Sequence, residues 1–173
     1  MVRLCHPHWE NLSRLTFQPQ HLEPSWLVWR EEIFLPILFP RLQAMRLACT
    51  SGHRDQLLAG DVALDESLPA EMADRSRRAG QLLMNAFPAP PAEKLWRHYG
   101  GLVASGGTSG HLCAVLAVRA AAFHVAPSLL AAAYVFLEAR GGLGETGVAQ
   151  WMEMTDDCLR ASAKHEGPGL RAA

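Results

Sequence analysis

From His111 to Arg140 the chain reads HLCAVLAVRAAAFHVAPSLLAAAYVFLEAR, and a run this apolar has to be buried, in lipid or in protein. Lipid requires roughly 20 uninterrupted apolar residues. Arg119, His124 and Pro127 break the run, so neither half reaches that length, and a charge near the centre of a spanning helix is costly. The stretch is therefore expected to form two buried helices, one over Leu112 to Phe123 and one over Ser128 to Arg140, with Pro127 at the first turn of the second. Their alanines allow backbones to approach closely, so these two helices and a last one over Gly147 to Ala163 are expected to form the tight centre of a bundle.

The rest of the chain points the same way. Alanine and leucine outnumber β-branched residues, and no segment alternates cleanly, so the fold class expected is all-α: a single-domain helical bundle with an irregular N-terminal segment. The expected divisions are 1–25 irregular, 26–163 helical bundle and 164–173 flexible tail. Trp26, Trp29, Ile33, Ile37 and Leu38 recur at helical spacing in a first region over Trp26 to Cys49, which Pro36 and Pro40 must kink or divide. The sequence TSGH reads as its stop.

A second helix is drawn from DESLPAEMADRSRRAGQLLMNAF, with Pro69 in the first turn and the acids Glu66 and Glu71 near the positive helix end. Leu68, Met72, Ala79, Leu83 and Phe87 form its apolar stripe. Arg75, Arg77 and Arg78 fall largely on outer faces, readable as a solvated surface or as a small basic patch for an acidic partner. The PAPP stretch at Pro88 to Pro91 is a stiff connector to a helix through AEKLWRHYG.

At 173 residues the chain is long enough for one domain with its own core. Its 16 basic and 17 acidic residues give no positive field for nucleic acid or an anionic membrane. Cys5, Cys49, Cys113 and Cys158 contain no C-x-x-C pair and read as reduced thiols of a cytoplasmic protein. The N-terminus lacks the pattern of a secretory signal.

Little in the chain has the spacing of chemistry. The glycines of GGLVASGGTSGH lack both Gly-Lys-Ser/Thr and G-x-G-x-x-G, so a flexible loop, or glycines allowing close helix contact, explains them better than a phosphate cradle. Asp156 and Asp157 are adjacent and point to different helix faces. His21, His53, His98, His111, His124 and His165 stand singly, as surface or hydrogen-bonded core histidines do. Only the opening VRLCHPHWENL gathers ligand types: in an extended segment His6, His8 and Glu10 share one side. Imidazole with the thiolate of Cys5 or the carboxylate of Glu10 suits nickel, zinc or copper. Trp9, Trp26 and Trp29 concentrate aromatic area near the N-terminus, either as an exposed partner surface or as a cap on the bundle.

Two elements resemble the urease accessory protein F family, an all-helical group of maturation proteins. The first is LPAEMADRSRRAGQLL, with its Ser-x-x-x-Gly-x-x-Leu helix at Ser76, Gly80 and Leu83; a glycine inside a helix argues for a close helix crossing there. The second runs from His111 through Tyr134, Arg140, Leu143 and Gly144 to Gln150. The resemblance implies a non-enzymatic protein that joins a GTPase and a second accessory protein to deliver nickel to an apo-enzyme, with nickel passing through transiently. Partner contacts are expected at Trp9, Trp26, Trp29, Arg75, Arg78, Arg140 and Gln150, and a metal contact at Cys5, His6 and His8. The alternatives are a helical subunit of another biosynthetic complex that binds a peptide or a catalytic subunit, and a small metalloenzyme. A second copy of the chain is a further candidate partner.

Overall fold

A computed structural model describes residues 26–86, 94–143 and 148–165. Cys5, His6, His8, Trp9 and Glu10, with the whole 1–25 segment, lie outside the described residues, as do Pro88 to Pro91 and the last eight residues of the tail. Among the described residues the chain is 86% helical, with seven α-helices and no strand, as expected for an all-α chain.

The two prolines of the first helical region divide it. Trp29–Leu38 is wound as a π-helix around Pro36, and α1 (Phe39–Thr50) comes next with Pro40 at its start. Proline has no N–H to donate and its ring crowds the carbonyl four residues back. The wider i→i+5 turn accommodates that crowding, and the backbone at Leu38 and Phe39 stays right-handed helical, so the winding changes register without a break. Pro40 sits in the first turn, where its missing donor would have been unpaired anyway. Gly52, at φ +77°, ends α1, with the His53 N–H donating to the Ala48 carbonyl at 2.9 Å; this is the glycine-capped helix end that TSGH announces.

Helix α2 (Arg54–Ser67) was not anticipated from the sequence. Its presence moves the next boundary, because Leu68 is extended and α3 (Ala70–Ala86) begins only after Pro69. Glu66 therefore lies at the end of α2, and Glu71 alone supplies the first-turn acid of α3. Phe87 lies outside the described residues. The buried stripe of α3 is Ala73, Ser76, Ala79, Gly80 and Leu83.

Helices α4 (Lys94–Ala104), α5 (Leu112–Ala122), α6 (Pro127–Leu143) and α7 (Val148–His165) complete the chain. The expected division of the apolar run at Pro127 is present, and no described helix is long and apolar enough to cross a membrane. Every residue from Leu112 to Val118 is buried, so α5 has no solvent face. It packs against α1, α2, α3, α4 and α6. The bundle centre is thus α5 among the four helices before it and α6; α7 packs on α6 and on the π-helical segment instead of sharing that centre.

Trp26 and Trp29 are in the core, so of the two readings offered for them the exposed surface does not hold; Trp9 lies outside the described residues. Trp26 and Trp29 are each 6% exposed, stacked at 4.8 Å, and Trp29 stacks in turn on Phe34 at 5.3 Å. Phe34 meets Tyr134 of α6 at 6.4 Å. These rings join the start of the described chain to α6, and Arg30 adds an ion pair to Asp157 of α7.

Candidate functional site

The most polar point of the interior lies on the unanticipated helix. Leu57, Asp61 and Leu64 form the buried face of α2, so a carboxylate occupies a position that spacing assigns to the core. Asp61 is 0% exposed. Its Oδ2 accepts from the Tyr99 hydroxyl at 2.8 Å, the Thr108 hydroxyl at 2.7 Å and the Gly110 N–H at 2.8 Å, and its Oδ1 from the His111 N–H at 2.9 Å. All four partners donate, which matches the acceptor-only form of an ionised carboxyl. One side chain thereby fastens α2, α4 and the segment leading into α5. Burial and the neighbouring Asp61 push the Tyr99 phenol far above its ordinary range.

The glycine-rich segment is consequently held and not loose. Helix α4 is closed off by the turn at Gly106, φ +73°, with the Gly107 N–H donating to the Leu102 carbonyl at 2.8 Å. Gly110 is likewise at φ +73°, a conformation glycine adopts without strain. The other expectation, close helix contact, holds at Gly80. A Cβ there would collide with the Gly110 carbonyl oxygen and lie 3.0 Å from Leu112 N. Beside it the Leu112 N–H donates to Ser76 Oγ at 3.2 Å, so α3 supplies one partner for the start of α5.

Asp65, one turn beyond Asp61, carries the network toward the surface. It accepts from the Ser109 hydroxyl, pairs with Arg77, and lies 3.2 Å from His111 Nε2. Burial opposes ionisation of Asp65, but the Ser109 hydrogen bond together with His111 and Arg77 outweighs it and holds the carboxyl below its usual range. Burial holds the His111 imidazole below its ordinary pKa despite Asp61 and Asp65. His111 Nδ1 is buried without a partner among the described residues. The neutral ring with its proton on Nε2 accounts for both nitrogens, since Nε2–H then donates to Asp65 and Nδ1 has no proton left to place.

A second polar cluster lies between α3 and α6. Glu138, 6% exposed, accepts from the Tyr134 hydroxyl at 3.0 Å. Burial pushes its carboxyl up to about 7, with Tyr134 and Arg75 pulling it back. Arg75 corrects the expectation of an outer face: it is half-buried, its Nε has no partner among the described residues, and it lines a small cavity with Glu138.

The other expected site residues are scattered. Arg78 is exposed on α3 as foreseen, while Arg77 is paired with Asp65 and Asp74. Arg140 lies on α6 and Gln150 on α7, and their side chains are outside the described set. No cluster of three metal-ligating side chains occurs among the described residues, and the Cys5, His6 and His8 set lies outside them. His53 and His98 are exposed; so is His124, whose φ of +51° caps α5 in the left-handed conformation. Cys49, Cys113 and Cys158 are free thiols, and burial pushes the Cys49 thiol up to about 12.

Asp61, Asp65, Tyr99, Thr108 and Glu138 were not foreseen. For Asp61 a signal existed: Leu57, Leu64 and Leu68 set a helical face on which it is the single acidic member. Compared with known proteins, the chain matches no family model, no curated protein and no solved structure.

Proposed function

We propose that this chain is a partner-binding accessory protein of the urease accessory protein F type, which joins a GTPase and a second accessory protein during nickel delivery to an apo-enzyme. The observation that carries the reading is the meeting of the two sequence elements on which the resemblance rests. Ser76 and Gly80 of α3 receive the His111 segment directly, through the Leu112 N–H and the close approach of the Gly110 carbonyl.

The chemistry at that joint supports binding over turnover. His111 is enclosed, with burial holding its imidazole below its ordinary pKa, and the lone pairs of Asp61 are engaged by four internal donors. Groups so engaged hold elements in place, which leaves recognition to the surface. The exposed residues of α3, among them Glu71, Asp74 and Arg78, and the exposed apolar side chains Leu47, Phe123 and Leu129 are what a protein partner would meet.

The test is co-expression of this chain with the urease structural genes, the GTPase and the second accessory protein of the same genome. The expected result is a complex that co-purifies with this chain and nickel-dependent urease activity that is lost when the chain is omitted. A genome without urease genes, or activation that proceeds equally without the chain, overturns the reading. Co-purification with a different catalytic subunit would favour a helical component of another biosynthetic complex.

A further inference from the structure

Helices α3 and α6 both border α5, yet they are not among the closely packed helix pairs. Between them lies a cavity in which the space open to a water centre is about 10 Å³. That is at the lower limit of the space a cavity needs to hold one water molecule. Leu38 and Leu68 form apolar walls, and Arg75, Ser76, Tyr134 and Glu138 bring polar groups to the same space. Tyr134 donates to Glu138 Oε1, while Arg75 Nε–H is buried and meets no acceptor among the described residues.

We propose that this cavity is an internal water site, in which one water accepts from Arg75 Nε–H and donates to the Glu138 carboxyl, linking α3 to α6 through a hydrated ion pair. The physical argument is one of satisfaction. A buried donor without an acceptor is costly, and so is a buried carboxylate with one donor. Both lie on a space that fits one water, and a water needs two to four polar partners to be held there. Ser76 provides a third, because its oxygen accepts from Leu112 while its hydroxyl proton remains available. An apolar cavity of this size would stay dry; the charged lining makes the difference.

The experiment is a crystal structure of the unmodified chain near pH 8, at a resolution that shows ordered water. The expected result is one solvent peak within hydrogen-bond distance of both Arg75 Nε and a Glu138 oxygen. An unoccupied cavity, or a direct Arg75–Glu138 hydrogen bond that closes it, overturns the proposal. Arg75→Lys supplies the second arm, since it keeps the positive charge and removes the Nε–H. Loss of the solvent peak with unchanged helical circular dichroism supports the bridge. A peak retained at the same place means that Arg75 does not hold the water, and overturns it.

Discussion

Asp61 and Glu138 are both buried carboxyl groups, but they are partnered differently. Asp61 has four donors, two of them backbone N–H groups fixed by the turn before α5. Glu138 has one donor in Tyr134 and one cation nearby in Arg75, so burial dominates and its carboxyl rises from 4.5 to about 7. A raised folded-state value means that the folded chain holds the proton more tightly than the unfolded one. The associated stability is then complete below the unfolded value and is lost as pH rises toward 7. His111 works in the opposite direction, because its lowered value costs stability as pH falls below about 6.5. The two trends oppose each other between pH 4.5 and 6.5 and flatten the profile of the unmodified chain there. Glu138→Gln removes one of them. Its stability relative to the unmodified chain should climb from near zero below pH 4.5 to a plateau above pH 7, by about 3 kcal/mol at most, as read by urea denaturation across that range. A difference that does not vary with pH would mean that Glu138 does not take up a proton on folding.

At the scale of elements, how legible the sequence was depends on where each signal is encoded. Gly52, Pro69, Pro127 and the π-helical passage around Pro36 express local backbone chemistry; the chain ends or begins a helix at the first three and changes its winding at the last. Helix α2 was hidden because Asp61 interrupts its apolar face and Gly60 weakens its propensity. The partners that make Asp61 tolerable in the core, Tyr99 and the segment from Thr108 to His111, lie 38 to 50 positions further along the chain. The burial of Trp26 and Trp29 is of the same kind, since it depends on Phe34 reaching Tyr134. Glycine inside α3, by contrast, carried a readable message. Gly80→Ala places a methyl group against the Gly110 carbonyl, a backbone atom that cannot rotate away. The expected loss is about 3 kcal/mol or more, from overpacking and from displacement of a segment held by Asp61. Gly101→Ala, at an exposed helical position with nothing within 4 Å, should instead gain about 0.5–1 kcal/mol. Chemical denaturation of the pair checks the contrast, and equal effects at both positions would show that the α3 crossing is not tight.

For the molecule as a whole, the decisive feature is that one helix touches most of the others. Because α5 packs on α1, α2, α3, α4 and α6, exposing it requires the bundle to come apart, whereas α7 can separate from α6 and the π-helical segment without uncovering that centre. Hydrogen exchange in α5 should accordingly report the global unfolding free energy, and exchange in α7 a smaller, local one. Ala117 tests this division because it is 0% exposed on the enclosed helix. Ala117→Leu inserts three carbon atoms into packed space, at an expected cost of about 2 kcal/mol. That corresponds to about 30-fold faster exchange for amides limited by global opening. The acceleration should appear in α5 and in the buried faces of α1 and α3, while α7 amides exchange at nearly their original rate. Equal acceleration in α7 would make the bundle a single cooperative unit. A separable α7 would be the part of the fold able to rearrange on a partner without loss of the Asp61 joint, and the exchange pattern decides between those two designs.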